Sequence, residues 1–76
     1  MDDNSFSVWI FFPDESYTPE ARFIDGESAV RLAKDITLRP AALIGIIARV
    51  IITDGGDFTV FEWTHDRGVV FPKTNP

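Results

Sequence analysis

Residues 49–63, RVIITDGGDFTVFEW, decide the fold. Val50, Ile51 and Ile52 on one side and Phe58, Val60, Phe61 and Trp63 on the other are strand formers. The cluster Asp54-Gly55-Gly56-Asp57 between them supplies residues that tolerate the positive φ of tight primed turns. This pattern predicts a β-hairpin with Gly55 and Gly56 at the centre of a two-residue turn. Thr53 then faces Phe58, Ile51 faces Val60 and Arg49 faces Glu62 on one side of the sheet, and Val50, Ile52, Thr59, Phe61 and Trp63 share the other. The second side is the more apolar and is assigned to the core. The first carries the opposite-charge pair Arg49/Glu62, yet Ile51, Phe58 and Val60 lie there too and require cover.

Working outward toward the N-terminus, residues 5–12 alternate as a strand, with Phe6, Val8, Ile10 and Phe12 on one face and Ser7, Trp9 and Phe11 on the other. Pro13-Asp14-Glu15-Ser16 is a turn cluster, and an apolar inner face results if Phe12 meets Tyr17, Ile10 meets Pro19, Val8 meets Ala21 and Phe6 meets Phe23. Pro19 cannot donate to a ladder, which puts this second strand at an edge. Asp25 is a candidate N-cap for a helix whose apolar arc holds Ala29, Val30, Leu32, Ala33, Ile36 and Thr37 and whose polar arc holds Glu27, Ser28, Arg31, Lys34 and Asp35. Pro40 ends it near Thr37 or Leu38. Residues 40–48, PAALIGIIA, read equally as a short helix or as a loop feeding a strand; the β-branched residues favour a strand from about Ile44 or Gly45. Residues 64–68 are a turn and residues 69–71 a short returning strand. The fold class is α+β: an antiparallel sheet of four to five strands in the order β-β-α-β-β-β, with one helix packed on one face. Residues 1–76 form a single domain, with tails expected at 1–4 and 72–76.

The hairpin RVIITDGGDFTVFEW followed by GVVFP, with the opening VWIFFPDESY and the run EARFIDGESAV into the helix, resembles a group of small uncharacterised bacterial proteins. The resemblance covers residues 8–72 and is specific at the hairpin. It implies a bacterial origin and a stand-alone small domain, and it carries over no functional residue.

A chain of 76 residues buries only about 60% of its unfolded surface. Without cysteine, disulfides are absent, and with one histidine a structural metal is not expected, which leaves self-association to reinforce the fold. The net charge of −5 works against phosphate backbones and anionic membranes, and the longest apolar run, 41–48, is far below the ~20 residues of a membrane span. The start MDDNSF lacks the basic and apolar regions of a signal peptide, so a cytoplasmic location is expected.

Candidate chemistry is sparse. His65 beside Asp66, with Glu62 near, is the one place for a general base and hence for a small-ligand site or enzyme, but adjacent residues diverge in direction and no cysteine nucleophile exists. Asp54 and Asp57 are too few for a hard cation, and no phosphate-binding motif occurs. No catalytic, cofactor or metal residue is assigned, and no cofactor is expected. Trp9, Phe11 and Arg22 on an open sheet face would suit single-stranded nucleic acid were the charge not acidic. The favoured reading is a non-enzymatic module that binds itself, as a homodimer, or another protein through the helix-free sheet face, with Trp9, Phe11, Ile51, Phe58 and Val60 as its surface.

Overall fold

The computed structural model describes residues 4–72. Its elements are β1 (Phe6–Phe11), β2 (Tyr17–Ile24), α1 (Gly26–Thr37), a one-turn α2 (Pro40–Leu43), β3 (Arg49–Thr53), β4 (Thr59–Thr64) and β5 (Gly68–Phe71). The five strands form one antiparallel sheet in the order β2-β1-β3-β4-β5, which establishes the α+β class with the expected element order. β2 is indeed an edge, where Pro19 leaves no ladder bond unmade. Of the tails expected at the two ends, residues 1–3 and 73–76 lie outside the described residues. Asn4 stands in a turn, and Pro72 lines a groove on the sheet. Among the described residues no helix is long and apolar enough to cross a membrane.

Asp25 caps α1 by accepting the Ser28 amide at 3.1 Å. Hydrogen bonds from the Ser28 side chain and then its amide hold the Asp25 carboxyl below the usual carboxylate range. Ala29, Ala33 and Ile36 bring α1 down onto Val8 and Ile10 of β1 and Val50 and Ile52 of β3, all buried. Two alanines one turn apart let the helix backbone approach the sheet closely, and Ile36 fills what remains. The alternation read in β1 and β3 therefore holds: Val8, Ile10, Val50 and Ile52 face the helix, while Trp9 and Ile51 face away.

Both hairpins depart from the expected two-residue geometry in the same way. Phe12 N–H donates to Ser16 O at 2.8 Å and Glu15 N–H to Phe12 O at 2.9 Å; likewise Asp54 N–H donates to Phe58 O at 2.9 Å and Asp57 N–H to Asp54 O at 3.1 Å. Each loop is thus three residues long, and its last residue is left-handed: Glu15 at φ 73° and Asp57 at φ 65°. The positive φ expected of Gly55 and Gly56 falls on Asp57 instead, because the Asp54 side chain organises the turn by accepting from Gly56 N–H and Phe58 N–H. In the first hairpin Phe11 meets Tyr17 and Ile10 meets Thr18, one residue from the expected register. A bulge then restores Val8 opposite Ala21, and a second sets Phe6 opposite Ile24 instead of the expected Phe23.

A left-handed glutamate costs about 1–2 kcal/mol, of which glycine's greater unfolded freedom takes back part. Glu15→Gly is therefore expected to stabilise the fold by about 0.5–1 kcal/mol, read as a higher urea midpoint at unchanged slope. A lower midpoint would show that the exposed Glu15 side chain contributes more than its backbone strain.

Residues 40–48 do not extend β3 as expected. Pro40 starts a helical turn at its favoured first position, and Gly45 at φ +86° reverses the chain. Ala48 N–H then donates to Phe11 O, delivering the chain to β3 at Arg49. Ala42 and Ile47 enter the core, so this segment sits on the helix side and does not roof the other face.

Candidate interaction surface

The five residues assigned to the interaction surface divide three ways. Trp9, Phe11 and Ile51 lie together on the helix-free face, because β1 is hydrogen-bonded to β3 and Trp9 is directly opposite Ile51. Phe58 stands at the hairpin tip, 72% exposed. Val60 is on the opposite face.

Two single-residue slips explain the split. The three-residue loop moves the β3–β4 register by one, pairing Thr53 with Thr59. A bulge between Ile52 and Thr53 moves it by one more, so that Ile52 meets Phe61, Ile51 meets Glu62 and Val50 meets Trp63. Two slips restore parity, so Phe61 and Trp63 pack against the core as expected and Glu62 faces away. Only the residues between the slips change sides: Thr59 turns to the helix-free face, and Val60 turns toward α1.

The helix-free face is open but dressed with its own polar groups. Trp9 Nε1–H donates to Thr53 Oγ1 at 3.0 Å. The Arg22 guanidinium lies 5.5 Å from the Trp9 ring and 4.9 Å from the Phe23 ring, and the Arg49 guanidinium lies 5.0 Å from the Phe11 ring. Tyr17 sits edge-on to Trp9 at 5.9 Å and tilted against Phe11 at 5.2 Å. Arg49 Nε is 2.8 Å from Glu62 Oε2, a diagonal cross-strand ion pair in which the buried N–H is not aimed at the oxygen. Trp9, Phe11 and Ile51 are consequently half-buried within the single chain.

The more naked apolar surface is on the helix side. α1 lies over β2, β1 and β3, and the β4–β5 half of that face has no helix above it. A groove of about 490 Å³ runs there, walled by Gly26 and Val30 of α1, floored by Val60 and Phe61 and closed by Val69. No polar group is placed to orient a ligand within these walls. At the other end of α1 a knuckle of aliphatics projects: Leu38, Leu43, Ile44 and Ile46 are 73, 65, 71 and 52% exposed. Sequence reading missed both features. The signal was present in Leu38, which falls on the helix's polar arc, and in the run LIGII.

His65 is built into the scaffold. Its Nδ1–H donates to Ala42 O at 2.9 Å, its backbone N–H donates to Ala48 O at 2.9 Å, and its ring would sit 3.3 Å from a Cβ at Gly45. The imidazole thus ties the β4–β5 turn to the α2 segment. Asp54 is likewise committed to its own turn, and the described residues hold no group of three or more metal-ligating side chains.

No protein-family model, curated protein or solved structure matches the chain.

Proposed function

We propose that this protein is a non-enzymatic interaction module that associates with itself. One observation carries the reading: among the described residues eleven large apolar side chains are exposed, whereas the core holds nine residues, three of them alanine. Scattered exposed apolar groups are ordinary, but contiguous exposed patches mark interfaces. We favour the groove and knuckle beside α1 over the helix-free face, because the knuckle aliphatics are exposed where Trp9, Phe11 and Ile51 are half-buried.

Static light scattering at about 10 µM is expected to give a mass above the 8.5 kDa of one chain. The melting temperature should rise with concentration, since association stabilises by mass action. A mass of 8.5 kDa at every concentration up to 100 µM, with a concentration-independent melt, would sink the reading.

A further inference from the structure

We propose that a second copy of this chain docks on the α1 flank that borders β4, as an antiparallel two-fold dimer in which the knuckle 43–46 of each copy enters the groove of the other. This rests on the self-association reading and names its surface and symmetry.

The groove and the knuckle occupy the two ends of one flank. The groove is walled by Gly26 and Val30 at the start of α1 and floored by β4. The knuckle follows the last turn of α1 and is held over the end of β4 by the His65 bond to Ala42 O and by the His65 ring against Gly45. A two-fold axis perpendicular to α1 and parallel to the sheet reverses the helix direction while preserving lateral position. Knuckle then meets groove twice, as an isologous interface requires. An apolar hole with no polar wall fits an apolar knob, and Leu43, Ile44 and Ile46 are 65, 71 and 52% exposed.

Charge along α1 fits the same operator. Its exposed stripe runs from Glu27 at the N-terminal end through Val30 and Arg31 to Lys34 at the C-terminal end. In the antiparallel arrangement Glu27 lies beside the second copy's Lys34, and Lys34 beside the second copy's Glu27. A parallel arrangement would set like charges together. The apolar area offered by the knuckle with Val30, Val60 and Val69 is of the same order as the roughly 800 Å² per partner of a stable interface.

Sedimentation velocity on the full chain at tens of micromolar tests this. Wild type should sediment as a dimer, and Ile44→Glu and Val60→Glu as monomers. Ile44 is 71% exposed, so its variant keeps the monomer's circular dichroism and isolates the interface from folding. Glu27→Lys should weaken the dimer about tenfold at low salt, and Glu27→Lys/Lys34→Glu should restore it. A double variant no tighter than the single one overturns the antiparallel register. A dimer that survives Ile44→Glu but is broken by Tyr17→Glu overturns the surface and leaves self-association standing. A monomeric wild type overturns both.

Discussion

Ile36→Ala is expected to leave the chain largely unfolded at 25 °C. Ile36 has no exposed surface and is the last large side chain between α1 and the sheet, beyond the two alanines that set the approach distance. Truncating a buried isoleucine costs about 2–5 kcal/mol, the lost transfer energy plus the cavity left behind. A domain of this size rarely has more than about 3–5 kcal/mol in total. Near-UV circular dichroism and amide dispersion should collapse for Ile36→Ala, while Tyr17→Phe, at a site 61% exposed, should match wild type within about 0.5 kcal/mol. Equal behaviour of the two variants would mean that α1 is not packed through Ile36.

Trp9→Ala is expected to cost about 2–3 kcal/mol, less than the full penalty for a buried aromatic because the ring is half-buried. Trp9 lies on β1, in the interior of the sheet between β2 and β3, and touches both neighbours: Tyr17 and Arg22 on one side, Thr53 on the other. Trp9→Phe separates these contributions. It keeps a ring for Tyr17 and Arg22 and removes only the N–H donated to Thr53, at about 1 kcal/mol. Urea titration of the two variants, with the dimer mass checked by light scattering, reads the difference. A neutral Trp9→Ala would turn the helix-free face back into a free binding platform.

The same contrast shows what could be read from residues alone. Alternation in β1 and in β3 set their faces, since a period of two survives any strand order. The helix was legible because Ala29, Ala33 and Ile36 share one arc and Asp25 and Pro40 bound it. The sheet face was legible for Trp9, Phe11 and Ile51 for that reason, and illegible for Phe58 and Val60. Those two lie between a turn and a bulge, where one left-handed aspartate decides the register, and composition favours glycine for that role. The α2 segment was ambiguous because Ala, Leu and Ile suit a buried strand and a short helix equally; a glycine at φ +86° and a histidine 20 residues further on in sequence, Gly45 and His65, decided it.

The insertion of β1 between β2 and β3 has a kinetic consequence. Each hairpin can zip on its own within microseconds, because its partners are close in sequence. The central ladder cannot: its Trp9–Thr53 bond joins residues 44 positions apart and waits for the whole helical segment to be looped out and closed. The barrier to folding therefore lies at the middle of the sheet, where two preformed ribbons must find each other under α1.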